Sequence, residues 1–130
     1  MSAIYPFLLV GLGGAMGAMA RYAAALAMAK LWSQPFPLAT MLINIAGSVL
    51  MGMVMGALAR LTPAWGETAR LFVAVGILGG FTTFSSFSLE TIVLIERGEL
   101  LLAGAYVLLS VVICLIGLYL GLLVTRGGLA

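Results

Sequence analysis

Residues 79–90 read GGFTTFSSFSLE, and this stretch decides how the chain folds. It places two glycines, three phenylalanines and five hydroxyl side chains in a chain otherwise rich in Leu, Ala, Val, Met and Gly. Glycine weakens a helix through its conformational entropy, and hydroxyl side chains compete for backbone hydrogen bonds. A helix that enters this stretch is therefore expected to break within it.

The composition of the whole chain indicates a membrane protein. Hydrophobic residues make up 64% of the 130 residues, charged residues make up 8%, and histidine is absent. So few polar side chains cannot cover a surface that faces water. Since one span takes roughly 20 residues, the length accommodates about four spans and no soluble domain. We predict an all-α integral membrane protein with a single domain, residues 1–130, and no cleaved leader.

Polar residues and prolines divide the chain into predicted spans at 4–29, 38–58, 69–95 and 101–124. Pro35 and Pro37 prevent the first helix from continuing into the second. The third span centres near Thr82 and Thr83, so its break falls close to the bilayer midplane. A broken helix at that depth is tolerated only where it is buried in protein or lines a wet cavity. A functional site at the break is the resulting hypothesis.

Small residues recur at four-residue spacing in three of the predicted spans. The pairs are Gly13 and Gly17, Gly52 and Gly56, and Gly117 and Gly121. Such pairs let helix backbones approach closely in lipid. The spacing fits packing within the chain and packing between subunits equally well.

Several other features limit the range of functions. The net charge of +2 is too small to indicate nucleic-acid binding. GLGGAMG at residues 11–17 departs from a dinucleotide-binding fingerprint at Met16. The single cysteine, Cys114, lies in an apolar run, where we expect it to pack rather than to act in redox chemistry. We assign no catalytic residues and predict no enzymatic activity.

The basic residues are balanced between the two faces of the membrane. One face receives Arg60, Arg70 and Arg126, and the other receives Arg21, Lys30 and Arg97. Because orientation follows the Lys/Arg imbalance between short loops, a balanced chain is expected to insert both ways. Errors of a few residues in the span ends would make the balance accidental. Arg21 lies near one end of the first span, where it either reaches the interface or binds a neighbouring carbonyl.

Polar and aromatic side chains form stripes along three of the spans. They are Thr40, Asn44 and Ser48 in the second span, Tyr106 and Ser110 in the fourth, and Phe81, Phe84, Phe87 and Glu90 in the third. Neutral donors and ring edges suit a small hydrated anion, because weak binding permits release. The alternatives are core packing for the phenyl rings and hydrogen bonding between helices for the polar stripe. Asn44 is the only asparagine in the chain, and an amide inside a membrane needs a partner or a ligand.

Three stretches resemble the signature sequences of the Fluc, or CrcB-type, fluoride channel family. They are GGAMGAMARY at 13–22, TMLINIAGSVLMG at 40–52 and GGFTTFSSFSLE at 79–90. The similarity extends over the whole chain in length, number of spans and order of motifs. Ala39 stands where the family often has Gly, and Ser86 stands where Thr is common.

The resemblance implies a fluoride-selective channel of the cell membrane that exports cytoplasmic fluoride. It further implies a dual-topology antiparallel homodimer with two fluoride pathways and a sodium ion on the two-fold axis. The implied pore residues are Asn44, Phe84 and Phe87, with Thr83, Ser86, Glu90, Tyr106 and Ser110 as a polar track. Gly79 and Thr82 would offer backbone carbonyls to sodium, and Arg21 would be a structural or vestibule charge.

Two other functions are open to a four-span chain of this kind. A small multidrug-resistance-type proton-coupled exporter also has four spans, but its coupling needs a carboxylate in the first span, and residues 4–29 contain none. A non-transporting assembly subunit held together by the glycine pairs would leave residues 79–90 without a purpose.

Overall fold

A computed structural model describes residues 2–127. Met1 and residues 128–130, which belong to the predicted domain 1–130, lie outside the described residues. The helices are α1 Ile4–Leu31, α2 Leu38–Leu61, α3 Gly66–Ala69, α4 Gly79–Phe81, α5 Phe84–Glu96 and α6 Leu100–Arg126, with a π-helical segment, Arg70–Leu78, between α3 and α4.

Four stretches within residues 2–127 are long and apolar enough to cross a membrane. They are α1, α2, the composite third span Gly66–Glu96, and α6. The predicted all-α architecture of four spans with a broken third helix is therefore confirmed. The dimer is a separate prediction.

The helices run slightly beyond the ends expected from the sequence. α1 ends at Leu31, α2 at Leu61 and α6 at Arg126, each two or three residues past the predicted boundary. In each case a basic residue lies in the last helical turn. A cation there interacts favourably with the negative end of the helix dipole, so the charge that suggested a loop instead belongs to the helix.

Glycines on α1 bring it into backbone contact with the third span. A Cβ atom added at Gly13 would clash with the carbonyl oxygen of Phe72, and one added at Gly17 would clash with that of Ile77. α1 packs along the π-helical segment and α4 as a result. The pair Gly13 and Gly17 therefore serves packing within the chain.

A second glycine-lined seam joins α2 to α6, the most extensive helix pair in the molecule. A Cβ atom at Gly52 would clash with the Leu118 carbonyl oxygen, and one at Gly121 would clash with the Val49 carbonyl oxygen. Of the two explanations left open by the spacing, the structure shows packing within the chain here as well.

The third span departs from the α-helical conformation at two places. The π-helical segment comes first, and the α-helix that follows stops at Phe81. Thr82 (φ −81°, ψ 158°) and Thr83 (φ −151°, ψ 114°) are extended, and α5 begins at Phe84. These two extended residues are the break, and they lie near the middle of the span.

Candidate functional site

The side-chain amide of Asn44 on α2 binds the backbone at the break. Its Nδ2 donates to the Thr83 carbonyl oxygen at 3.1 Å, and its Oδ1 accepts from the Thr83 backbone N–H at 2.8 Å. Backbone groups that leave a helix inside a membrane need such partners, because lipid offers none. The sequence indicated that this amide needs a partner or a ligand. One N–H of the Asn44 amide remains beyond the one used on Thr83.

Arg21 of α1 binds the backbone on the N-terminal side of the break. Its Nε donates to the Gly80 carbonyl oxygen at 3.2 Å. Of the two possibilities for this arginine, the structure shows the contact with a neighbouring carbonyl. Two helices thus fix the two sides of one irregular segment, α1 through Gly80 and α2 through Thr83.

At the break, the carbonyl groups of Gly79 and Thr82 accept no hydrogen bond from residues 2–127. Thr83 N–H, the helical partner of the Gly79 carbonyl, donates to Asn44 instead. Ser86 N–H, the helical partner of the Thr82 carbonyl, donates to Thr83 Oγ1 at 3.1 Å and so caps α5. Free carbonyls at such a break are suited to bind a cation.

A groove of about 310 Å³ opens beside the break, between α2, α5 and α6. Its lining residues are Asn44, Gly47, Ser48, Met51, Thr82, Thr83, Phe84, Phe87, Ser110, Val111, Cys114 and Leu118. Five of the predicted pore and track residues therefore share one space: Asn44, Thr83, Phe84, Phe87 and Ser110. Ser110 is 4% exposed, and its hydroxyl oxygen has no hydrogen-bond partner among residues 2–127.

The aromatic stripe contains two rings in place of the expected three. The ring centroids of Phe84 and Phe87 lie 5.4 Å apart. Phe81 ends α4 on the other side of the break, so the helical spacing that would align it with Phe84 is interrupted. Phe84 is 76% exposed, whereas Phe87 is 9% exposed.

Tyr106 links the groove to a second cavity. Its ring packs on Phe87 with centroids 5.1 Å apart, and its hydroxyl donates to Glu90 Oε1 at 3.2 Å. Glu90 lines a cavity of about 330 Å³ formed by the end of α1, the α1–α2 connection and α5. Polar or amphipathic members of that lining are Trp32, Gln34, Glu90 and Arg97. Phe87 and Tyr106 therefore stand between the two spaces.

Some predicted residues lie outside the groove, and some lining residues were not predicted. Ser86 and the fully buried Tyr106 line neither space, and Gly79 lies on the far side of the break. Gly47, Met51 and Cys114 are among the lining residues that were not predicted, as are Val111 and Leu118. Gly47 and Met51 follow Asn44 by three and seven positions, and Cys114 follows Ser110 by four, so helical periodicity could have found these first three.

Four apolar spans, the third broken at mid-span beside a groove with neutral polar groups, define a multi-pass membrane protein with the features of a channel or transporter. Residues 8–122 match the family model described as CrcB-like protein, Camphor Resistance (CrcB). The chain belongs to this family. The prediction of a multi-pass protein of the cell membrane is confirmed by the spans and by the family.

Relatives from several bacteria align with nearly the full length of the chain. A protein of Nitrobacter hamburgensis named fluoride-specific ion channel FluC 2 is 48% identical, with 92% of this chain and 96% of the relative covered. A fluoride-specific ion channel FluC of Sphingopyxis alaskensis is 48% identical, with 97% of both chains covered. The FluC of Novosphingobium aromaticivorans is 49% identical over 91% of this chain and 94% of its own.

Proposed function

We propose that the protein is a fluoride-specific ion channel that lets cytoplasmic fluoride leave the cell down its electrochemical gradient. The observation that carries the proposal is the similarity, at 48% identity over 97% of the chain, to a relative named as such a channel. Conduction needs no catalytic residue, and none is assigned.

The groove offers fluoride a set of weak, neutral contacts. The remaining N–H of Asn44, the unpartnered hydroxyl of Ser110 and the edges of the Phe84 and Phe87 rings replace part of the hydration shell. None of the groove-lining side chains is cationic. An ion held in this way can also leave, which conduction requires.

The polar track continues past Phe87 toward the second cavity. Tyr106 and Glu90 form its next step through their hydrogen bond, and Arg97 lines the cavity beyond. The Tyr106 hydroxyl engages one carboxylate oxygen of Glu90, which limits the repulsion of an anion. Thr83 lines the groove, whereas Ser86 belongs to the track on the ground of the sequence resemblance alone.

The channel is proposed to be an antiparallel homodimer. In one chain Phe84, within a membrane span, is 76% exposed, so a second copy would cover a ring that a single chain leaves open. The balanced basic residues favour insertion in both orientations. Two reporter fusions after Ala130, one active only inside the cell and one only outside, should both signal. Activity of only one reporter would contradict dual topology.

A sodium ion is proposed to bind the carbonyl oxygens of Gly79 and Thr82. These carbonyls fit a cation, because no donor within residues 2–127 occupies them. Two copies of the chain would bring four such oxygens together, and the ion would supply a fixed positive charge between the two pathways. Purification with a large organic cation in place of sodium should weaken the dimer, as measured by size-exclusion chromatography. If the fraction of dimer were the same without sodium, the proposed sodium site would be contradicted.

A growth experiment tests the function in cells. Hydrogen fluoride enters uncharged and dissociates inside, and the inside-negative potential drives the anion out through an open path. Bacteria without a fluoride exporter should grow in acidic fluoride medium when they carry this gene, and should not grow when they carry the Asn44→Asp variant. Equal growth with and without the gene would overturn the proposal, provided that the protein reaches the membrane.

A further inference from the structure

We propose that Cys114 is a modification site for small, water-soluble, thiol-reactive electrophiles, and that a group attached to it blocks the groove. The blocking part of this inference rests on the proposed channel function. The modification itself does not, because it depends only on whether the thiol meets water in the groove.

The position of Cys114 on α6 places it in the groove. It is partly exposed and follows Ser110 by one helical turn, so the two side chains project from the same face of the helix. Asn44 and Phe84 line the same space from α2 and α5. A substituent on the Cys114 sulfur would therefore enter the volume that these side chains enclose.

A second observation indicates that this part of the groove receives a polar ligand. Ser110 lines the groove and is 4% exposed, and its buried hydroxyl has no hydrogen-bond partner within residues 2–127. A buried hydroxyl without a partner costs free energy unless water or a ligand reaches it. Cys114 lines the same groove one helical turn further along α6, so water that enters the groove to reach Ser110 would also meet the thiol.

The composition of the groove and of the chain makes the thiol a selective target. Cys114 is the only cysteine in the sequence, so any thiol modification occurs at this position. None of the other lining side chains carries a charge, so none repels an anionic reagent. Reactivity then depends on thiolate formation and on access.

The probe is 2-sulfonatoethyl methanethiosulfonate, which is anionic and does not enter lipid. The Cys114 thiol loses its proton to water, and its sulfur attacks the sulfenyl sulfur of the reagent. A disulfide bond forms, the bond between the two reagent sulfurs breaks, and methanesulfinate leaves with the electron pair. The cysteine sulfur is oxidised to a disulfide, and the thiosulfonate is the oxidant.

The experiment uses the full chain in liposomes and measures two quantities, the intact mass of the protein and the rate of fluoride efflux. We expect one sulfonatoethylthio group per chain, loss of most of the fluoride efflux, and recovery of efflux with dithiothreitol. High fluoride should slow the labelling, because ion and reagent share the groove. The matched control is Cys114→Ala, whose mass and efflux should not respond to the reagent, whatever its own rate of efflux.

A second reagent, uncharged N-ethylmaleimide, distinguishes a thiol that faces the groove from one that faces lipid. Labelling by the maleimide and not by the anionic reagent would mean that the thiol faces lipid, and would overturn the proposal. Absence of labelling by either reagent would overturn it as well. Labelling with unchanged fluoride efflux would overturn the proposal that the attached group blocks the groove, since the modified thiol would lie off the ion path. Labelling of a protein that conducts no fluoride would support the site and overturn the proposed channel function.

Discussion

The two halves of α2 use glycine in opposite ways. In the second half, Gly52 lets α6 approach so closely that no space is left between the backbones. In the first half, Gly47 leaves room for the Thr82 side chain, and Asn44 one turn earlier bonds the extended backbone of Thr83. One half closes a seam, and the other supports a break with a groove beside it.

The difference between these regions is one of hydrogen bonding. Along the seam, the backbone groups stay bonded within their own helices, and close packing holds the helices together. At the break, the backbone leaves the helix, so side chains from α1 and α2 must replace its bonds. A change at the seam should therefore affect folding, whereas a change at the break should affect conduction in a protein that still folds.

The largest effect is expected from filling the seam. In Gly52→Leu, the new side chain collides with the Leu118 carbonyl, which belongs to backbone and cannot turn away. Overpacking of this kind costs about 1–3 kcal/mol, and more where backbone must move. The yield of monodisperse protein after detergent extraction should fall sharply. Gly104→Leu on α6 is the control, since nothing lies within 4 Å of a Cβ atom there. Equal yields of the two variants would show that folding does not depend on the close contact of α2 and α6 at Gly52.

Asn44→Asp tests the break at its strongest contact. The carboxylate keeps an acceptor for the Thr83 N–H, loses the donor to the Thr83 carbonyl, and adds a negative charge to the proposed anion path. Fluoride efflux from liposomes should be abolished while the helical circular dichroism spectrum is retained. Ser48→Ala, one turn further along the same wall, should lose much less. Efflux at the wild-type rate in Asn44→Asp would exclude the amide from the path.

The two phenyl rings provide a finer test of the groove. Replacing Phe84 or Phe87 with Ile keeps apolar volume and removes the positive ring edge. Efflux should decrease strongly in both variants. Phe84→Ile loses one ring contact, with Phe87, whereas Phe87→Ile loses two, with Phe84 and with Tyr106, each worth about 0.5–1.5 kcal/mol, so Phe87→Ile should unfold at the lower temperature. Phe81→Ile, on the other side of the break, is the control; equal efflux in all three variants would argue against ring edges as ligands.

The smallest effect is expected at the cap of α5. Thr83→Val keeps the shape of the side chain but removes the Oγ1 acceptor of the Ser86 N–H, which should cost about 1 kcal/mol of stability. Thr83→Ser keeps the oxygen and should behave like the wild type. Thermal unfolding in detergent would compare the two variants. An identical unfolding temperature in Thr83→Val would show that the cap contributes nothing.

The sequence predicted those features of the fold that depend on local chemistry. The lengths of the apolar runs predicted four spans, and the glycines and hydroxyls of residues 79–90 predicted the break. Asn44 is the only asparagine in the chain, and its amide inside a membrane span was expected to need a partner. The identity of that partner depends on which backbone groups leave the helix, and this is set by packing between helices that are distant in sequence.

Three other features of the structure have little or no signature in the sequence. The expectation for Phe81 was wrong because helical spacing holds only within one helix, and the two extended residues follow it. The π-helical segment Arg70–Leu78 has no composition that distinguishes it from an α-helix. The second cavity is assembled from α1, the α1–α2 connection and α5, so no single stretch of sequence reveals it.

Ion efflux from liposomes shows most directly whether the broken third helix provides a path for fluoride. Purified protein is reconstituted into vesicles loaded with equal concentrations of fluoride and chloride, and each ion is followed with its own selective electrode. We expect rapid release of fluoride, retention of chloride, and loss of the fluoride signal in Asn44→Asp. Chloride release as fast as fluoride release, or no release of either ion from vesicles that contain folded protein, would contradict this expectation.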